Sequence, residues 1–466
     1  MQSSQDSLIH EATSLFRLVE SIDRFVAEHE GLYSYTEATQ RLFSHVHGQA
    51  EYTRKLASEI IERHAHGPGE PELRYRRDLI IQRDLWRTLH TYIKPATDAH
   101  SLNLPAPLIQ MATEDLRRVP GLESSHIVVL LTPELMYYHN SPQSNLPSHM
   151  VFVEVPYSQG PSFFANLTIY HELGHYVFDR LADADNPRPT FTSLVAAMDH
   201  AFAETFGDLL KTPGNRTWAK RVLDSWTKEV FCDLFALRNL GPAYSFALID
   251  ILSLIGLMGE DVEGRFDEDH PALALRFREQ QKCLQKEGWW TSVENMPSEH
   301  VSLVARLAAK NESEYFFEYQ EKEVPLFIDA FLAIVPFIHE LAADLTPHSE
   351  AAAADFAQYA EQIEECLLHG VVPSSLLAED RALAPTPVSM INAAYCFYLT
   401  GLPRLMDKLD GQRADDLRQR MNWAEKVEAW TVKGVEDSQL MVARWQVLNR
   451  AATAGTDDKS LISPKR

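Results

Sequence analysis

Cysteine is scarce in this chain of 466 residues: there are four, Cys232, Cys283, Cys366 and Cys396. No two stand at C-x-x-C spacing, and each lies in apolar or helical surroundings. Free buried thiols in a reducing compartment are therefore expected, not a disulfide framework. Positive charge is also short. Lysine and arginine number 43 against 66 acidic residues, for a formal net charge of -23. A duplex nucleic-acid binder needs a basic face to displace counterions, so nucleic acid is not an expected partner. The same charge repels anionic membrane surfaces, and it would steer cationic substrates only through a salt-screened field. The N-terminus, Met1-Gln2-Ser3-Ser4-Gln5-Asp6, lacks the basic stretch and apolar run of a signal peptide. No repeat of fixed period is present. A charge-free apolar run is missing too. The nearest approach, Gly241 to Met258, carries Asp250 in its middle and has no basic flank. A charge at the bilayer centre costs ~3 kcal/mol or more, so this segment reads as a buried core helix. No membrane partner is expected, and a cytoplasmic location is the default.

What is present is ordinary globular material, 45% hydrophobic and 23% charged. The length suits two or three domains, or one catalytic unit with a helical elaboration. The first stretch, residues 1–122, reads as helical, with apolar periodicity over Leu8–His29 and Asp78–Ile93 and a Pro/Gly loop from His64 to Pro71. The texture then changes. Ile127–Leu131 and Val151–Val155 are short β-branched runs that read as strands, with a polar loop, Tyr138 to Ser148, between them. A helix follows over Phe163–Leu181. Another covers Trp218–Leu240, with Leu223, Trp226, Val230, Leu234 and Leu237 on one stripe and Gly241-Pro242 as its stop. An acidic loop, Gly259 to Asp269, leads to a helix that starts at His270-Pro271. Residues 298–450 read as a helical C-terminal domain, with breaks at Pro325, Pro347, Gly370–Pro373, Pro385–Pro387 and Gly401–Pro403. Residues 451–466 read as a disordered tail. The fold class expected is α+β, mostly α-helical, with residues 123–297 as the catalytic core.

The chemistry sits on the Phe163–Leu181 helix, which reads His171-Glu172-Leu173-Gly174-His175. Positions i and i+4 share a helix face, so two imidazoles can address one ion. Glu172 lies too far round to be a ligand but can reach a water on that ion. Catalytic zinc keeps three protein ligands and a water, lowers that water's pKa towards ~7, and leaves a carboxylate to take the proton. By itself the pentapeptide arises by chance in a chain of this size at a rate of order one in twenty. Its flanks, Leu167, Ile169, Tyr170, Tyr176, Val177 and Phe178, make a mostly buried helix, in which such polar groups need a compensating partner. Glu229 and Asp233, again i and i+4, supply the rest. They stand amid Trp226, Val230, Phe231, Leu234 and Phe235. Glu229 reads as third ligand and Asp233 as the acceptor that orients a ligand imidazole. The bland alternative is a solvated acidic face.

HELGH followed by E-x-x-x-D resembles the gluzincins, zinc metallopeptidases that use HExxH plus a glutamate ligand. The resemblance covers about residues 126–280. It implies a zincin-like core, a small twisted sheet plus the active-site helix, with zinc on His171, His175 and Glu229, Glu172 as general base and Asp233 on His171. It also implies a peptide or protein substrate. An edge strand that pairs with substrate backbone often precedes the helix in gluzincins, and Val151–Val155 stands in that order. His270-Pro271 with Arg276 resembles a His-Pro…Arg element of some integral-membrane and chaperone-like gluzincins. The oxyanion partner could be His270, Arg276 or Tyr244. Equally, His270 could cap a helix and Arg276 could make a structural ion pair. Two other readings stand beside the peptidase: a metal-binding regulatory module controlled by an unknown partner, and a helical scaffold with a chance motif. The pairs His45/His47 and His64/His66 read as solvent-exposed.

Overall fold

Along the first helix, Leu8, Ala12, Leu15, Val19, Ile22 and Val26 recur every three or four residues, and all are buried. That stripe is what makes α1 (Gln2–Glu30) fold as an amphipathic helix against its neighbours. The computed structural model describes residues 2–32, 35–65, 72–101, 106–140, 147, 149–184, 187–206, 213–311, 313, 315–317, 324–373, 385–410 and 417–457. The chain divides into two compact units between Pro161 and Ser162. This division differs from the expected three-part partition. The strands share a unit with the N-terminal helices, and the His-Glu-x-x-His helix belongs to the other unit.

In the first unit, α1 is followed by α2 (Glu37–Ala65), α3 (Glu72–Ser101) and α4 (Ala106–Arg118). Then come β1 (His126–Thr132), β2 (Tyr138–Asn140) and β3 (Met150–Pro156). One apolar core joins α1, α2 and α3 to Val128, Leu130, Met150 and Phe152 of the strands. The sheet is mixed, in the order β1-β3-β2, with β1 parallel and β2 antiparallel to β3. One open point is decided here and one expectation changes. Val151–Val155 lies in the central strand, hydrogen-bonded on both sides, so it is not an edge. The supposed loop from Tyr138 begins with a strand, and its residues 141–146 and 148 lie outside the described residues. His45 and His47 are half-buried instead of exposed; His47 lies 2.5 Å from Asp23 Oδ1 and 3.3 Å from Glu30 Oε2. His64 ends on α2, and His66 lies outside the described residues.

The second unit is almost wholly helical. A 3-10 turn (Ala165–Thr168) runs straight into α5 (Ile169–Ala182), followed by α6 (Pro189–Phe206) and α7 (Pro213–Leu240). α5 packs on α7, and α13 (Val324–Leu345) packs on both α6 and α7. From Glu229 to Leu240 every residue of α7 is buried, as befits a helix enclosed on all sides. Gly241, at φ +65°, lets the chain turn sharply, and a Cβ there would lie 3.0 Å from the Trp289 ring. Pro242 then opens α8 (Pro242–Leu254) at a position where its missing N–H costs nothing.

α8 is the buried core helix expected from Gly241–Met258. Asp250 is answered by Tyr395, whose hydroxyl donates at 2.6 Å, and by His300 at 2.7 Å. No helix among the described residues is long and apolar enough to cross a membrane. The expected acidic loop holds a short α9 (Glu260–Glu263) and β4 (Arg265–Phe266), which pairs with β5 (Phe316–Phe317). α10 (Leu273–Glu287) begins after His270-Pro271, not at it. The Asp267 carboxylate accepts the backbone N–H groups of Asp269 and His270 and holds them in a turn. Beyond it lie α11 (Trp289–Val293), α12 (Glu299–Ala308), α14 (Ser349–Leu368), α15 (Pro387–Thr400), α16 (Leu402–Asp410) and α17 (Leu417–Asp457). Pro325 lies in the first turn of α13, where it is tolerated, so the expected break there is the start of that helix. α17 continues to Asp457 through the Ala-rich residues 451–454, part of the expected tail; residues 458–466 lie outside the described residues.

Candidate metal centre

α5 is short and apolar, and its first two turns carry the motif. His171 and His175 project from one face, with ring centroids 4.9 Å apart. Gly174, on the turn between them, meets α7. A Cβ at Gly174 would stand 2.7 Å from the Cys232 Cα and 3.1 Å from its Sγ. Only glycine admits so close an approach, and that approach brings α7's polar groups to the histidines. Phe178 of α5 against Phe231 of α7, with ring centroids 5.3 Å apart, extends the same contact.

α7 delivers Glu229 and Asp233 to this crossing. Glu229 Oε2 lies 3.4 Å from His171 Nε2, and Glu229 Oε1 lies 3.3 Å from His175 Nε2. Two nitrogen or oxygen ligands on one tetrahedral zinc, each bonded at 2.0–2.2 Å, stand about 3.3 Å apart. Each separation therefore suits one carboxylate oxygen and one imidazole nitrogen on a shared ion. On its other edge, His171 presents Nδ1 to Asp233 Oδ1 at 3.0 Å. That bond favours a proton on Nδ1 and leaves Nε2 as the free donor.

Asp233 is itself clamped. Arg276 of α10 donates Nε to Oδ2 at 2.6 Å and a second guanidinium nitrogen to Oδ1 at 2.7 Å. The Tyr244 hydroxyl of α8 donates to Oδ1 at 2.6 Å. Arg276 also reaches Glu229 Oε2 at 3.4 Å, so one cation tethers both acids. Asp233 is 1% exposed, Arg276 6% and Tyr244 fully buried. Four elements, α5, α7, α8 and α10, thus meet at one buried polar network. Asp233 belongs to no solvated acidic face.

The charges follow from that burial. Burial would push Asp233 up, but the Arg276 charge and the hydrogen bonds from Arg276 and His171 outweigh it and hold it below its ordinary value. Glu229 behaves likewise. Burial opposes its charge, and His171, His175 and Arg276 together keep it well below the usual range. Burial would lower His171, yet the Glu229 charge and the bonds to Asp233 and Glu229 raise it to about 10. Burial and the Asp233 charge push Tyr244 well up, so it remains a neutral donor. Glu229 and Asp233 bring two negative charges against the single fixed positive charge of Arg276. A cation between the imidazoles would offset that excess, and without one His171 takes up a proton instead. The donor set fits a metal ion on this ground as well as on distance.

The remaining candidates fall differently. Glu172 is 9% exposed and stands in the first turn of α5, and no described side chain bonds its carboxylate. His270 is half-exposed in the turn before α10. Its Nδ1 lies 3.3 Å from Asp267 Oδ1, and the bond to Asp267 raises it above its ordinary value, with burial opposing and the Glu229 charge adding to the rise. It bonds none of the other site residues. Arg276 and Tyr244, both weighed as oxyanion partners, are occupied by Asp233; Arg276 makes the structural ion pair that was the plainer expectation.

Sequence reasoning passed over Cys232 as a bland thiol. Its Sγ lies with the ligand atoms of His171 and His175 in a group whose members are all within 4.8 Å of one another. We take Glu229 as the third donor, because its oxygens stand 3.4 and 3.3 Å from the two imidazole nitrogens and its carboxylate is held ionised. Burial, and next the Glu229 charge, also push the Cys232 thiol well up, which keeps it protonated. Its position between Glu229 and Asp233 on α7 was the available signal. Comparison with protein-family models, curated proteins and solved structures finds no match. The site therefore rests on its own geometry.

Proposed function

We propose that this chain is a zinc-dependent metallopeptidase of the gluzincin kind, with a zincin-like core built around α5 and α7. The observation that carries the reading is the double approach of Glu229 to His171 Nε2 and His175 Nε2, with His171 Nδ1 turned to Asp233. His171, His175 and Glu229 would hold the ion. When bound, zinc supplies Lewis-acid polarisation of a substrate carbonyl and of a water. Glu172, unbonded to any described side chain, accepts the proton of the attacking water and returns it to the leaving amine. Asp233 fixes the tautomer of His171, and Arg276 with Tyr244 fixes Asp233. His270 is the oxyanion donor in this reading, since it keeps an exposed imidazole within electrostatic reach of Glu229 while the other two candidates are engaged. All four cysteines are free thiols, which suits a reducing, cytoplasmic setting.

The test is metal content together with cleavage of unfolded proteins and mixed peptides by purified protein. Stoichiometric zinc is expected in wild type and lost in His175→Ala. Glu172→Gln is expected to keep its zinc while cleavage falls by roughly 10²–10⁴-fold. Well-folded wild-type protein that takes up no zinc would overturn the reading. Zinc uptake with no turnover on any substrate would favour a metal-binding module governed by a partner.

A further inference from the structure

The helical run that bears the metal ligands is capped only in part by its own residues: the Ser162 hydroxyl answers one of its first N–H groups, that of Ala165. It starts at Ser162, winds through the 3-10 turn at Ala165–Thr168 and enters α5 without a break. The first N–H groups of any helix lack intrahelical partners, and buried ones must find acceptors elsewhere. Here the acceptor comes from the far end of the sequence. Glu428 of α17 accepts the backbone N–H of Phe163 at 2.5 Å and the Ser162 hydroxyl at 3.2 Å, and the Phe164 N–H also bonds it. Ser162 passes the link on. Its Oγ accepts the Ala165 N–H at 3.3 Å, and its carbonyl accepts the Asn166 side-chain amide at 2.6 Å. The flank is fixed by the same region: Phe164 stacks on Tyr395 of α15 at 4.3 Å between ring centroids.

We propose that Glu428 is a positioning residue for the metal site: its carboxylate, carried on α17, is the N-terminal cap of the helical run that presents His171 and His175. The proposal rests on the metallopeptidase reading for its consequence, but the cap itself does not. A carboxylate at a helix N-terminus satisfies orphan donors and complements the helix dipole. Burial raises Glu428 to about 6 against the pull of its three donors, so the cap is charged at neutral pH. The physical effect is to tie α17 to α5. Any displacement of α17 loosens the first turns of the run, and through them the register of the two imidazoles against Glu229.

The test uses the full chain, with and without zinc. Variants are Glu428→Ala and Glu428→Gln, the latter keeping one acceptor oxygen, with Glu425→Gln on the exposed face of α17 as control. Amide exchange over residues 162–176 is read by mass spectrometry against α13 as reference, and zinc affinity by chelator competition. Exchange at Phe163–Tyr170 should rise about tenfold in Glu428→Ala. Zinc affinity should fall about tenfold, with Glu428→Gln between Ala and wild type and the control unchanged. Unchanged exchange at Phe163–Tyr170 overturns the proposal. So does a uniform rise that includes α13, which marks general destabilisation, or raised exchange with zinc affinity untouched. Wild-type protein without zinc affinity overturns the metallopeptidase reading instead, and the exchange arm then decides the cap alone.

Discussion

Removing Arg276 tests the network most directly. Arg276→Met keeps the length of the side chain and deletes its charge. Asp233 would then be left 1% exposed, deprived of two hydrogen bonds of 2.6 and 2.7 Å, and Glu229 would lose its nearest fixed cation at 3.4 Å. Breaking a buried ion pair by deleting one partner costs about 3–5 kcal/mol, because the other charge stays in the interior uncompensated. Both groups are buried, so no discount for solvent screening applies. For a unit of this size that loss lowers the unfolding midpoint by roughly 5–10 °C. The assay is calorimetry on chelator-treated protein, run as a double-mutant cycle with Asp233→Asn. The asparagine still accepts from Tyr244 and His171 but carries no charge, so the double variant should be more stable than the sum of the two single losses by about 2 kcal/mol or more. Additive losses, or an Arg276→Met midpoint within a degree of wild type, would refute the clamp.

Three further predictions concern the same site. Gly174→Ala places a methyl group 2.7 Å from the Cys232 Cα, a backbone atom that cannot swing away, so α5 and α7 must part. A loss of about 1–3 kcal/mol in denaturant unfolding is expected, together with weaker zinc binding, and a variant as tight and stable as wild type would count against the close crossing. Zinc affinity should also climb with pH. With His171 raised to about 10 in the metal-free protein, zinc must displace its proton, while Glu229 and Asp233, held below their ordinary values, stay charged throughout. The logarithm of affinity should rise by roughly one per pH unit between pH 7 and 9, and a flat competition profile would show that His171 carries no such proton. The stability of the metal-free protein, read by denaturant unfolding across pH, should show the opposite trend, and a flat profile would count against the raised histidine. A histidine whose folded value is raised adds stability that is fully present below its unfolded value, near 6.5, and is lost as pH climbs towards 10.

Much of the site was legible from spacing alone, because an i, i+4 pair faces one way on any helix. His171 with His175, and Glu229 with Asp233, needed only that periodicity and an apolar setting. The helical character of α1, α7 and α8 was equally readable from their stripes and stops. The errors and the open point fell where local signals compete with distant partners. β2 looked like loop because three residues carry too little pattern, and only its pairing with β3 makes it a strand. Val151–Val155 reads the same at an edge or in the middle of a sheet, and partners on both sides decided the matter. His270-Pro271 resembled a helix start until the Asp267 side chain captured the backbone there.

The sequence by itself determined which groups could serve as ligands and base, since residue type and helical period are local properties. Tertiary structure alone decided what each group is free to do. Arg276 and Tyr244 have the right chemistry for an oxyanion, but a buried carboxylate takes their hydrogen bonds first, because an uncompensated charge in the interior costs more than an unused donor near solvent. Gly174 fills a position of the motif that any residue could occupy, and Glu428 lies in no motif. One matters because two helices cross at that point, and the other because a helix beginning at Ser162 finds its acceptor on α17. Both are relations between segments far apart in the chain, and no reading of either segment alone contains them.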